Sequence, residues 1–176
     1  MRQALSLSDL ATRLDRIEQQ GAVRAVVDEY FDRCDTLGPD SDLAALGDLF
    51  TADAIWRGAG NRYVESFGEH RGRAAIMTFL GRYASPRFFK SNVHLLTSEH
   101  LVVDQKGATG SWQMLQMPSF SDDSAWLLVA KIRVGLTFAD GRWRIADFTT
   151  RSLVSKNIEG GWLSNIPLPV PSGENH

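Results

Sequence analysis

The sequence predicts an α+β fold: a cone-shaped α+β barrel whose N-terminal helices pack inside a curved sheet, mixed but mostly antiparallel. Three observations predict it. Apolar residues recur at helical spacing up to residue 82 and at strand spacing from residue 90 onward, and helices first with strands after is an α+β order. Turn signals cut the strand-like half into four long segments, as in a meander, which would curve around the helices and leave a hollow open at one end. The length, 176 residues, suits one domain with a full core.

Ser6 to Gln20 reads as a first helix, with Ser8 and Asp9 as cap candidates and a seam of Leu7, Leu10, Leu14 and Ile17. Gly21 is expected to interrupt it. From Ala22 to Asp35, Val23, Val26, Val27, Tyr30, Phe31 and Cys34 form an apolar stripe, with Arg24, Asp28, Glu29, Asp32 and Arg33 opposite. Leu37 to Asp42 is a turn cluster and Leu43 to Phe50 a short helix. Ala54 to Trp56 begins an extended stretch. Tyr63, Glu65 and Phe67 alternate with Arg62, Val64 and Ser66, which predicts a short strand. Gly72 to Arg82 is a helix with Ile76, Phe79 and Leu80 inward.

The four long strands are Asn92 to Asp104, with room for a bulge, Ala108 to Pro118, Ala125 to Phe138 and Arg142 to Val154. Gln105-Lys106-Gly107 turns the chain between the first two, Phe120 to Ser124 is a polar loop, and Asp140-Gly141 is a hairpin signal. Residues 1–165 are expected to form the single domain. The tail, 166–176, carries Pro167, Pro169 and Pro171 and is read as extended or mobile.

The formal net charge of -2 provides no basic field for nucleic acid and no polybasic patch for a membrane, and no apolar run reaches transmembrane length. The single cysteine, Cys34, excludes an intramolecular disulfide framework and reads as core. The N-terminus lacks the apolar centre of a signal peptide, which makes the cytoplasm the expected location. No two histidines stand at helical ligand spacing and no compact carboxylate set completes a metal site. There is no phosphate-binding glycine loop, since Gly58-Ala59-Gly60 leads into no Gly-Lys-Ser/Thr ending. Neither a metal nor a cofactor is therefore expected.

Asp35 lies on the margin of the apolar stripe, where a carboxylate needs a partner or a solvated pocket; read alone, it is a surface residue near a helix end. Tyr30 sits at the stripe's centre, and its hydroxyl wants a partner once buried. His94 lies among apolar neighbours in Asn92-Val93-His94-Leu95-Leu96, a setting that more often holds a core histidine than a catalyst. An imidazole titrates near neutrality, so with an orienting carboxylate on one ring nitrogen it can serve as a base, and Asp35 could be that carboxylate. His70 reads as solvated, and His100 shares the strand parity of His94. Arg151 shares parity with Trp143 and Ile145, so it reads either as an inward group for an anion or carbonyl or as a rim salt bridge. The hollow would be lined by Tyr30, Trp56, Tyr63, Phe67, Trp112 or Trp126, depending on register.

With those residues in view, the chain from about Leu10 to Trp162 resembles the SnoaL-like branch of the nuclear-transport-factor-2-like cone superfamily. The resemblance is carried by Tyr30-Phe31-Asp32-Arg33-Cys34-Asp35, by Phe50-Thr51-Ala52-Asp53-Ala54-Ile55-Trp56, by Gly72-Arg73-Ala74-Ala75-Ile76, by His94 on a strand, and by Gly141-Arg142-Trp143-Arg144-Ile145. Within that branch the pattern is similar to scytalone dehydratases, bile acid 7-alpha-dehydratases and hexachlorocyclohexane dehydrochlorinases, which resemble one another in an Asp–His pair deep in the cone. The resemblance implies that Asp35 and His94 match that pair, that Tyr30 and Arg151 join them, and that Trp56, Tyr63, Phe67, Trp112 and Gln113 contact substrate. Where scytalone dehydratase has a second histidine, this chain offers Trp112, Gln113 and Gln116. The implied activity is a cofactor-free lyase, a dehydratase-type elimination on a small hydrophobic cyclic molecule. An isomerase or epoxide hydrolase in the same cone, or the non-catalytic small subunit of a ring-hydroxylating dioxygenase, are the alternatives. Uncovered sheet faces imply a homo-oligomer, and the resemblance implies a trimer in preference to a dimer.

Overall fold

A computed structural model describes residues 6–162 of the chain. The tail reading for 166–176 lies outside the described residues. Helix α1 (Leu7–Asp35) is continuous through Gly21, and the space where a Cβ would stand on that glycine is open. Its N-cap is Ser6 rather than Ser8. The Ser6 hydroxyl accepts from the Asp9 backbone N–H at 3.1 Å, and the Asp9 carboxylate accepts from the Ser6 backbone N–H at 3.0 Å, a reciprocal capping box. Only the C-terminal half of α1 is buried, through Val23, Val27, Tyr30, Phe31 and Cys34.

The remaining elements are α2 (Leu43–Gly47), β1 (Phe50–Ala59), α3 (Gly60–Phe67), β2 (Glu69–Arg71), α4 (Arg73–Gly81), β3 (Phe89–Ser91), β4 (His94–Asp104), β5 (Gly107–Gln116), β6 (Ser119–Phe120), β7 (Trp126–Ala139) and β8 (Arg142–Asn157). Six strands form one curved sheet in the order β2-β1-β8-β7-β5-β4; β3 and β6 form a separate two-stranded sheet. Every pairing is antiparallel except β1 with β8. The sheet is therefore mixed but mostly antiparallel, as expected. The core lies between the C-terminal half of α1, the helix α4 and the inner face of the sheet, with Phe50, Ile76, Ile132, Val134, Ile145 and Phe148 almost wholly buried. None of the described helices is long and apolar enough to cross a membrane.

Two features depart from the sequence expectation and position the site. Residues 60–67 are a helix, not a strand: Tyr63 and Phe67, four apart, share the inward face with ring centroids 4.6 Å apart, and Glu65 turns to solvent, whereas a strand would have forced it inward with them. Gly58 lets α3 fold back onto β1, since a Cβ there would stand 2.2 Å from the Tyr63 carbonyl oxygen. The second departure is a bulge in β8, which joins the bulge expected in β4. In β4 the register slips between Thr97 and His100, with Ser98 at φ 54°. In β8 Asp147 faces Gly135 while Ile145 faces Leu136, leaving Ala146 unpaired. Each bulge reverses which parity points inward. The Asp140-Gly141 turn forms as expected, with both residues at positive φ, 54° and 77°.

Candidate active site

Asp35 is the last residue of α1, and His94 is the first of β4. The Asp35 carboxylate grips His94 twice: Oδ1 lies 2.5 Å from the ring Nδ1, and Oδ2 accepts the His94 backbone N–H at 3.0 Å. A carboxylate can only accept, so Nδ1 carries a proton, and in the neutral ring the lone pair is on Nε2. The His94 side chain is 9% exposed and that of Asp35 21%. Phe31, one helical turn before Asp35, packs on the imidazole with ring centroids 4.9 Å apart.

His94 lines a cavity of about 380 Å³. Its walls come from α1 (Tyr30, Phe31, Cys34), β1 (Trp56), α3 (Tyr63, Phe67), α4 (Phe79, Leu80) and the inner face of β8 (Phe148, Thr150). Tyr83, Phe88, Phe89 and Phe120 close one side as an aromatic cluster built on the β3–β6 pair. Among the described residues lining the cavity, none is an aspartate, glutamate, lysine or arginine. The polar groups besides His94 are neutral: Tyr30, Tyr63, Ser66, Asn92, Gln116 and Thr150 among them.

Tyr30 is buried, and its hydroxyl accepts the Trp56 Nε1–H at 2.9 Å. Burial pushes its hydroxyl well above the ordinary tyrosine range, so it remains a proton donor. Burial likewise pushes the Cys34 thiol up to about 12, which keeps it neutral and unreactive. Trp56 stacks on Phe148 with ring centroids 5.6 Å apart and planes 7° apart, a flat wall.

Of the residues expected in the hollow, Asp35, His94, Tyr30, Trp56, Tyr63 and Phe67 converge, though Asp35 stands behind His94 rather than on the wall. Arg151 does not. The bulge at Ala146 turns Phe148 and Thr150 inward and puts Arg151 on the outer face, where it is exposed and packs against Gly60. Gln113 also points outward on β5. Trp112 points inward but stands away from the cavity wall, its Nε1 donating to Glu99 at 3.3 Å; Glu99 is in turn held by Arg24. Trp126 lies under the Arg62 guanidinium, 5.8 Å from the ring centroid, and Leu128 reaches the cavity instead. His100 is exposed, since the β4 bulge reverses its parity. His70 is half-buried, donating from Nε2 to the Phe67 carbonyl at 2.8 Å and stacked on Phe79.

Sequence reasoning passed over Asn92 and, as a wall residue, Gln116. The available signal was parity: Asn92 stands two residues before His94 in an extended stretch, and so shares its face. Gln116 faces His94 directly across the β4–β5 pairing.

A SnoaL-like domain model matches residues 15–149 of the chain. No curated protein matches it in sequence. Among solved structures, the type 2 hexachlorocyclohexane dehydrochlorinase is similar with a TM-score of 0.72 at 16% identity, covering 89% of this chain and 99% of that one. The type 3 dehydrochlorinase from Novosphingobium barchaimii is similar with a TM-score of 0.70 at 18% identity, covering 89% and 99%. A scytalone dehydratase-like protein from Novosphingobium aromaticivorans is similar with a TM-score of 0.67 at 17% identity, covering 90% and 97%. At these identities the likeness establishes the fold, and it extends over nearly the whole of each neighbour. With most of its length matched by the domain model, the chain belongs to the SnoaL-like family.

Proposed function

We propose that the protein is a cofactor-free lyase that removes a proton and a leaving group from a hydrophobic cyclic small molecule, with His94 as the base. One observation carries the reading: the Asp35 carboxylate occupies both the backbone N–H and the Nδ1 of His94, so the free Nε2 is presented to an apolar cavity. An imidazole held in one tautomer in a dry site is equipped to take a proton from carbon. The substrate loses a C–H proton to Nε2, and the bond's electrons pass into the adjoining carbonyl as an enolate. Departure of a β-hydroxyl, taking the proton back from His94, leaves an enone and water. Tyr30, kept protonated by burial, is a second donor on the wall.

The test is turnover of cyclic β-hydroxy ketones, followed by enone absorbance. His94→Ala is expected to lower the rate by roughly 10²–10⁴. A reaction that survives that substitution points to an aspartate-driven isomerase or hydrolase. The engagement of both Asp35 oxygens with His94 counts against that reading. No turnover by the isolated protein, together with a co-purifying oxygenase chain, points to an accessory subunit.

We also propose that the chain self-associates, as a trimer rather than a dimer. Supporting this, Val102 on the edge strand β4 and Leu153 and Val154 on β8 are each about half exposed. Light scattering on the purified protein is expected to give three times the chain mass, and a monomer would refute it.

A further inference from the structure

We propose that Asn92 is the carbonyl-binding group of this site, and that its substrate is a neutral ketone. This rests on reading His94 as the base and assigns the group that faces it.

A base that takes a proton beside a carbonyl generates negative charge on oxygen, and something must stabilise that oxygen as the charge develops. With Arg151 on the outer face and no aspartate, glutamate, lysine or arginine among the described residues of the cavity wall, the stabilising group is a neutral donor. Asn92 is such a donor. It is 6% exposed and lines the cavity. Its Oδ1 accepts the Gln116 Nε2–H at 2.9 Å, which fixes the carboxamide plane and leaves the Nδ2 group as its other end. No described residue accepts from Nδ2, so a nine-tenths buried amide faces the hollow with two N–H groups unspent. Tyr30 is a less available donor, because its hydroxyl is already hydrogen-bonded to the Cys34 thiol.

The spacing fits the chemistry. Asn92 and His94 both turn inward on either side of the exposed Val93, and two residues of extended chain would span roughly 6–7 Å. A base about 3 Å from an α-carbon and a donor about 3 Å from the adjoining oxygen stand roughly 6–8 Å apart. Gln116, directly across from His94 in the β4–β5 pairing, acts through Asn92 as a positioning residue. The same wall disfavours a carboxylate or phosphate substrate, which would enter a largely apolar space with no lysine or arginine among its described residues.

The probes are 2-tetralone, a bicyclic ketone that can only accept, and tetralin, the same skeleton without the oxygen. The parent protein is expected to bind 2-tetralone about fivefold more tightly than tetralin by equilibrium dialysis, as one net hydrogen bond implies. It is expected to exchange the α-hydrogens of 2-tetralone for deuterium, followed by mass spectrometry. Asn92→Asp keeps the size and the acceptor for Gln116 but removes both donors. It should abolish the preference for the ketone, slow exchange by roughly 10²-fold, and leave tetralin binding within about twofold. Asn92→Leu should do the same, and Gln116→Leu should lose the preference in part while tetralin binding stands.

A parent protein that binds neither compound, or both alike, overturns the proposal. So does an Asn92→Asp variant that retains the preference. Failure of the underlying reading looks different: the parent and His94→Ala proteins exchange at the same rate, while Asn92→Asp still erases the preference for the ketone.

Discussion

Two acid–base pairs in this molecule have nearly the same geometry and opposite surroundings. Asp35 and His94 meet at 2.5 Å behind a cavity wall, with side chains 21% and 9% exposed. Arg24 and Glu99 meet at 2.7 Å where α1 crosses β4, with side chains 43% and 31% exposed. The outer pair is the better salt bridge on paper, with a forked guanidinium on both carboxylate oxygens. Water screens it, and holding two long side chains in one geometry offsets much of the gain. The inner pair has no such screening, so its partners determine each other's orientation and proton placement. Burial decides which pair can do chemistry.

The largest effect should come from breaking the inner pair. Asp35→Ala strands two N–H donors of His94 at a half-buried site, and is expected to cost about 2–3 kcal/mol in urea unfolding. The same variant should lower turnover of a β-hydroxy ketone by about 10²-fold or more, because the ring loses its tautomer and orientation. Asp35→Asn, which keeps the shape and one acceptor, should fall between the two.

An alkaline pH effect belongs to the buried side as well. Cys34 titrates near 9.0 in an unfolded chain and at about 12 when buried here. Its folded value is raised, so the stability it confers is complete below pH 9 and is lost as pH climbs from 9 toward 12. The slope is up to about 1.4 kcal/mol per pH unit from this one thiol. Thermal unfolding at a series of alkaline pH values should show the decline, and Cys34→Ala should flatten that part of it. Tyr30, raised by burial in the same sense, contributes its own decline at higher pH.

Smaller still is the outer pair: Arg24→Gln should lower stability by no more than about 1 kcal/mol, an effect reduced further by added salt, and should leave turnover unchanged. The smallest effect is expected from Arg151→Ala, within about 0.5 kcal/mol and without loss of turnover. A collapse of activity in that variant would mean that the outer face of β8 takes part in the reaction after all.

The sequence made the larger organisation legible. Helical spacing in Val23 to Cys34, strand alternation after residue 90 and the Asp140-Gly141 turn all report local physics that the fold leaves intact. Asp35 and His94 lie on separate elements, and it was chemical fit and the family resemblance, not periodicity, that suggested they meet. What stayed hidden was parity. Nothing in Ile145-Ala146-Asp147 announces that Ala146 drops out of the pairing, yet that residue moves Arg151 from the inner face to the outer. The 60–67 segment misled for a related reason, since residues four apart align both on a helix and on every second strand position. Asn92 was readable from its parity with His94, but a polar residue before a strand has many mundane uses, and only the Gln116 contact singles it out.

The lone parallel pairing, β1 with β8, has a consequence for how the protein is made. It brings Trp56 against Phe148, so the flat wall of the hollow joins residues far apart along the chain. A ribosome must have released nearly the entire domain before that wall can assemble, and contacts so distant along the chain form slowly. Until then the greasy stripe of α1 and the rings of α3 and α4 have nothing to cover them. Newborn chains of this protein should accordingly depend on chaperones more than a helical bundle of equal size would.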